Sequence, residues 1–238
     1  MNYPDDSIQA AIDPSSWWIK HEEKCLERGC LVAAFVPHVD QIPYTVIPKG
    51  RKQAEEHGTA EVEIKPLEIK KPRRYSSLPV AAMPIFDNEI LTAYRAKKRP
   101  CLVLGEQASH VDDRYRRGMP KKSTAPVVLA APYYGADKDG KRAGYHAELV
   151  DRIRHAKYAQ FLVDSLPIGG PKESILRLDH LQPIGTHYNS YELTGYKLSK
   201  DALEIMDEWL HWLVYGRVPD EDDSFIRGFQ AYTDKYFT

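Results

Sequence analysis

The sequence predicts an α+β protein, mainly β with helices: a small β-barrel with a long insertion, an N-terminal helix and a C-terminal helix. Two observations carry this. Short apolar runs at Cys30–Val36, Cys101–Leu104 and Val127–Ala131 have the length of buried strands, and glycine or proline punctuates them. One amphipathic segment, 200–215, follows them late in the chain, which suits helices packed at one end of the strands. At 238 residues, 42% hydrophobic and 28% charged, the chain has room for one sizeable domain, or one domain with large insertions.

The elements follow in order. Asp13-Pro14-Ser15 has the form of a helix start. Trp17, Trp18 and Leu26, with charges between them, predict a short amphipathic helix to about Glu27, ended by Gly29. Cys30–Val36 is the first strand, closed by Pro37. Residues 37–79 contain six prolines and many charges and read as a long loop with one further strand near 60–67. Ile85–Lys97 reads as a short helix carrying Ile90, Leu91 and Tyr94. Three strands come next: Cys101–Leu104, Val127–Ala131 before Pro132, and Ala147–Val150. Between the last two, Asp137-Lys138-Asp139-Gly140 has turn chemistry. Ile175–Leu181 alternates at first, as a half-exposed strand does.

The clearest helix is Lys200–Tyr215. Ser199 suits its N-cap, and Leu198 and Leu203 sit where a hydrophobic staple would. Leu203, Met206, Leu210 and Leu213 fall at helical spacing, joined by Trp209 and Trp212, and Gly216 and Pro219 end it. An acidic run at 220–223 precedes a last amphipathic piece, Phe225–Phe237. The expected organisation is an N-terminal helical extension (1–27), a barrel domain (28–216) with an insertion at 37–96, and an acidic C-terminal extension (217–238).

The net charge of −1 is unevenly spread. Residues 65–157 carry a net +10, whereas 1–64 carry −5 and 158–238 carry −6. A basic middle suits an anionic partner, and it suits equally well a middle that folds against its own acidic ends. Cys25, Cys30 and Cys101 are odd in number, and no second pair completes a zinc site with the first two. They read as thiols of a reducing compartment, with no metal and no cofactor expected. The acidic N-terminus lacks the apolar core of a signal peptide, and no stretch approaches the roughly 20 apolar residues of a membrane span, so a cytoplasmic location is expected.

Several segments together resemble the MazF/PemK toxin family. Arg28-Gly29 and the apolar run to Val36 look like its opening strand. Lys98-Arg99-Pro100-Cys101-Leu102-Val103-Leu104 is similar to its arginine-proline strand, and Val127–Pro132 to its third strand. Leu149-Val150-Asp151-Arg152-Ile153-Arg154 looks like its valine-aspartate-glutamine-valine-arginine segment. Ser199–Tyr215, with Met206-Asp207-Glu208 at its centre, resembles its closing helix. The resemblance implies an SH3-like barrel that cleaves single-stranded RNA without a metal, the toxin of a toxin–antitoxin pair, homodimeric and bound by an acidic antitoxin. The chain departs from the pattern: residues 37–96 replace a short glycine-rich loop with a long one, the N-terminal helix is extra, and two strand positions differ. Cys30 stands where the family has an acidic residue. Pro132 is followed by Tyr133, Tyr134 and Gly135 where the family has a threonine or serine.

Metal-free RNA cleavage needs a deprotonated 2′-hydroxyl, a stabilised pentacoordinate phosphate and a proton for the leaving oxygen. Arg99 matches the family's catalytic arginine, and its planar fork suits two phosphate oxygens. Tyr134 lies near the family's hydroxyl position and is the second catalytic candidate. Lys97, Lys98, Arg114, Arg116, Arg117 and Tyr133 are candidate RNA contacts, as basic groups with interleaved aromatics. Lys121 and Lys122, and Lys70, Lys71, Arg73, Arg74 with Tyr75, are basic clusters that read as contacts or as solvated charge. His110 and His146 have the titration range of acid–base groups but no pairing in sequence. Asp151 and Arg154 read as a structural ion pair. The alternative is a barrel that has lost cleavage and binds a protein or nucleic acid as a regulator. A structural protein of unrelated fold is the third possibility.

Overall fold

Prolines and glycines set where the strands of this protein start, bend and stop. The computed structural model describes residues 3–12, 14–22, 25–68, 70, 80–85, 89–105, 109, 111–115, 117, 127–138, 144–170, 172–187, 189–218 and 223–237. Its strands are β1 (Trp18–Lys20), β2 (Cys30–Pro37), β3 (Tyr44–Gly50), β4 (Glu61–Pro66), β5 (Leu91–Ala93), β6 (Ala96–Val103) and β7 (Val127–Gly135). Helix α1 (Ala147–Arg154) precedes β8 (Phe161–Asp164), β9 (Ser174–Arg177), β10 (Gln182–Gly185) and β11 (Tyr191–Leu198). Helices α2 (Lys200–Tyr215) and α3 (Phe225–Tyr236) close the chain.

The chain divides into two units, residues 1–35 with 98–238, and residues 36–97. In the smaller unit β3 pairs antiparallel with β4 and with β5. The region expected as loop thus contains a further strand, β3. Its Pro48 lies beyond the stretch paired with β5, next to a bulge, where a missing N–H is tolerated. The helix expected over Ile85–Lys97 is instead β5 followed by the start of β6. Leu91–Ala93 pairs with Tyr44–Val46, so cross-strand pairing wins over a short helix that would lack a core to pack on.

The larger unit carries a sheet in the order β1-β11-β2-β6-β7-β9-β8, with β10 also on β7. The architecture is α+β and largely antiparallel. The path is linear from β1 to β8, and no pairing among the described residues closes it into a barrel. Gly29 enters β2 at φ +86°, a left-handed conformation, and a Cβ there would meet the Leu203 side chain at 3.2 Å. Arg28 donates from Nε to the Leu104 carbonyl (3.1 Å) and pairs with Asp207 of α2, which fixes that helix across the sheet.

Two apolar cores lie on opposite faces of β7, β9 and β8, as strand alternation requires. Tyr133, Leu162 and Leu176 join the larger core with Leu31, Leu102, Met206, Trp209 and α3. Val163 and Ile175 join a smaller one with Val150 and Ile153 of α1. Ala147–Val150 is therefore helix rather than strand. Val150 and Ile153 fall three residues apart on one buried face, a spacing hidden in so short an apolar run.

The expected N-terminal helix does not form among the described residues. A 3₁₀ turn at Ala10–Ile12 leads to β1, and Trp18–Lys20 pairs with Leu198–Tyr196 of β11. A ladder to an existing edge satisfies this backbone, and both indoles reach the core without a helix. Helix α2 matches its expected bounds. Ser199 accepts from the Ala202 N–H, and Gly216 closes it at φ +71°. Glu208 of α2 then accepts from Phe225 and Ile226 N–H and from the Ser224 hydroxyl, so it caps α3 with negative charge. No helix among the described residues is long and apolar enough to cross a membrane.

Candidate functional site

The site is built around the interruption of one strand. On one side β7 pairs with β6, Cys101 opposite Pro132. On the other it pairs with β9 through Tyr133–Gly135 and with β10 through Val127–Ala130. Between β9 and β10 the chain leaves the ladder in a 3₁₀ turn, Leu178–His180. Continuing the β9 register puts Arg177 opposite Pro132, and continuing the β10 register puts His180 opposite the same residue. Pro132 has no N–H to offer a partner strand, so a break opposite it is inexpensive. The break projects Arg177, Asp179 and His180 beside Tyr134.

Arg99 arrives from β6. Extending the Cys101–Pro132 register by two residues places it opposite Tyr134. Its Cζ lies 3.9 Å from the Tyr134 ring centre, a close cation–π contact. Its Nε is shut off from solvent and has no hydrogen-bond acceptor among the described residues. The neighbouring Cys101 thiol donates to the Arg99 carbonyl (3.5 Å) and holds the backbone. Burial pushes that thiol up to about 12, so it stays protonated and inert.

Tyr134 Oη lies 2.8 Å from His180 Nδ1, and the rings meet edge to face at 80°. Arg177 donates from Nη2 to His180 Nε2 (2.9 Å). A guanidinium only donates, so Nε2 accepts and the neutral ring carries its hydrogen on Nδ1. His180 therefore donates to the Tyr134 oxygen. Arg177 is itself held by Asp179 through Nε (2.7 Å) and Nη2 (2.6 Å). That bond, reinforced by Tyr145, raises the guanidinium further above its ordinary value. Arg177 also lies over Phe161 at 5.0 Å and 5.7 Å from the Tyr134 ring centre. Asp179 neutralises Arg177, while Arg99 has no carboxylate partner among the described residues. The cluster therefore carries one uncompensated positive charge at the edge of the smaller core.

The sequence-predicted residues separate in the structure. Arg99 and Tyr134 come together. Tyr133 does not join them: its ring points to the other face, 2% exposed, with Oη donating to Asp164 at 2.9 Å. It belongs to the core and has no surface for RNA, because successive strand residues face opposite ways. Lys98 is exposed and pairs with Glu192, and Lys97 is exposed in the smaller unit. Arg114 pairs with Asp112 (3.4 Å) and stacks on Tyr115 (4.6 Å), and Arg117 is exposed. Arg116, His110, Lys71, Arg73, Arg74, Tyr75, Lys121, Lys122 and the Asp139-Gly140 pair lie outside the described residues. His146 is exposed at the start of α1. Arg154 bonds Asp151 (2.9 Å), Asp6 (3.0 Å) and Glu173 (2.9 Å), a structural hub tying the N-terminal segment to α1.

Arg177, Asp179 and His180 were not predicted. Their signal is the point where strict alternation fails after Leu178, in Leu178-Asp179-His180-Leu181, together with a proline in the partner strand. A second unpredicted cluster is His21, Cys25 and Glu27, whose ligand-capable atoms all lie within 4.8 Å of one another.

On the far side of β7, Asp164 is fully buried. It accepts from Trp17 Nε1 (3.2 Å), Trp18 Nε1 (3.3 Å) and Tyr133 Oη. Burial lifts its carboxyl to about 7 although these bonds pull it down. The same burial and the adjacent carboxylate push the Tyr133 phenol well above its ordinary value.

No protein-family model matches this chain, and no curated protein and no solved structure matches it either.

Proposed function

We propose that this protein is an endoribonuclease of the MazF/PemK type, cutting single-stranded RNA at a phosphodiester seated on Arg99. The observation that carries the reading is the Arg99 guanidinium, stacked on Tyr134 at 3.9 Å and without a carboxylate partner among the described residues. A guanidinium so oriented offers its planar fork to two phosphate oxygens. Its uncompensated charge favours the same class of ligand.

In this reading the 2′-hydroxyl attacks the adjacent phosphorus and its proton passes to water. Arg99 stabilises the pentacoordinate phosphate. The bond to the 5′-oxygen breaks, and Tyr134 gives that oxygen its proton. The resulting phenolate is stabilised by the His180 Nδ1–H and recovers a proton from solvent. The products are a 2′,3′-cyclic phosphate and a 5′-hydroxyl. A cytoplasmic location, a homodimer, an acidic antitoxin that covers the basic residues, and a sheet rolled in the SH3-like manner belong to the same reading.

A specific observation favours a second reading. Tyr134 is bulkier than the family's threonine or serine, lies under Arg99 and is engaged by His180. A site so filled suits a protein that binds RNA or a protein partner without cutting. Incubation of the purified chain with a single-stranded RNA oligonucleotide separates the two. Fragments ending in a 2′,3′-cyclic phosphate, lost in Arg99→Ala, support the nuclease. RNA retained uncut, with binding lost in the same variant, supports the regulator, and neither binding nor cleavage overturns both.

A further inference from the structure

We propose that His21, Cys25 and Glu27 form a zinc-binding site that staples the connection between β1 and β2. This inference is independent of the RNA site. The three residues lie within seven positions, and their donor atoms lie within 4.8 Å of one another.

The geometry centres on His21 Nε2. It faces Glu27 Oε1 at 3.2 Å, the Cys25 carbonyl at 3.3 Å and Cys25 Sγ at 3.9 Å. All three neighbours carry lone pairs, yet Nε2 can present at most one hydrogen to them. A divalent cation at the centre meets the nitrogen, the sulfur and the carboxylate at once. Tetrahedral zinc, with bonds of about 2.0–2.3 Å, separates such ligands by about 3.3–3.6 Å. The observed 3.2 and 3.9 Å bracket that range. The mixed imidazole, thiolate and carboxylate set suits zinc rather than magnesium or calcium, which prefer oxygen alone. Three protein ligands leave a fourth position for water.

The frame is already built. The His21 side chain is 5% exposed, and its backbone N–H donates to the Gly195 carbonyl at 2.9 Å. At the other end the Cys30 N–H donates to the Glu27 carbonyl at 3.2 Å. Lys197 Nζ lies 2.8 Å from Glu27 Oε1, so a metal would share that carboxylate with the lysine. Cys25 is exposed, which gives the ion a path in, whereas Cys30 is buried. A metal there would clip β1, an edge strand of only three residues, to the chain leading into β2.

Cobalt(II) added to the chelator-treated full chain tests the proposal. The expected result is a thiolate-to-cobalt charge-transfer band with the intense visible bands of a four-coordinate site, displaced by one equivalent of zinc. Cys25→Ser should abolish the charge-transfer band. It should also weaken zinc binding by on the order of tenfold or more while the circular dichroism spectrum is kept. His21→Gln should weaken zinc similarly and keep the fold. A spectrum without charge transfer, or a charge-transfer band that survives Cys25→Ser, overturns the proposal. A thermal midpoint raised by zinc equally in wild type and Cys25→Ser overturns it too.

Discussion

The guanidinium carbon of Arg99 rests 3.9 Å from the centre of the Tyr134 ring, and the adjacent Nε is shut off from solvent with no acceptor among the described residues. The stack orients the cation, and its unneutralised charge suits a phosphate. Arg99→Ala should therefore lower the rate of RNA cleavage by about 10²–10³-fold, the order found for one transition-state donor. Arg99→Lys should rescue little, since an ammonium offers no planar fork. Thermal midpoints near wild type in both variants, with oligonucleotide cleavage as the readout, separate a chemical loss from a folding loss.

His180 is held by Arg177 so that it donates to Tyr134. His180→Ala should slow cleavage roughly five- to tenfold, the equivalent of about 1 kcal/mol for one hydrogen bond. His180→Asn should recover much of that, because its amide also donates. Single-turnover rates for the pair check it, and equal losses would show that the donated hydrogen bond is not what His180 contributes.

Tyr133 differs from its neighbour by facing the core. Tyr133→Phe removes a buried donor to Asp164 and should cost about 1–3 kcal/mol of stability. It should leave kcat/KM for RNA unchanged. Urea unfolding and a cleavage assay on the same preparation test both halves.

Asp164 makes stability depend on pH. Its carboxyl is lifted from 3.8 in the unfolded chain to about 7 in the folded one, because burial disfavours the charge. Folding thus favours the protonated form. The stabilisation is full below about pH 4, declines as pH rises, and is gone above about pH 7. Wild type should lose stability relative to Asp164→Asn across that window and show a constant difference above it. Unfolding free energies of both proteins between pH 4 and 8 provide the measurement.

Much of the larger unit is legible in sequence where local chemistry decides. Ser199, the 3–4 spacing of Leu203 to Leu213 and Gly216 define α2 without help from the rest of the chain. The apolar runs of β2, β6 and β7 are likewise bounded by their own glycines and prolines. Where tertiary contacts decide, the sequence misleads. Trp17 and Trp18 read as a helix face, yet an edge of β11 claims their backbone. Ala147–Val150 reads as strand until Ile153, beyond the run, shares the buried face. The site follows the same division. Arg99 and Tyr134 stand in adjacent strands and carry recognisable local motifs. Arg177 and His180 reach them only because the ladder breaks opposite Pro132, a pairing between segments about 45 residues apart. No local pattern encodes that distance.

Tyr133 and Tyr134 are neighbours in the chain with opposite duties, one anchoring the interior and one facing the candidate chemistry. Inserting or deleting a single residue within β7 would exchange them, sending the Asp164 anchor outward and the Arg99 partner inward. The length of this strand is therefore expected to be fixed in any descendant that keeps both the fold and the activity. Change in length is left to the connections around it.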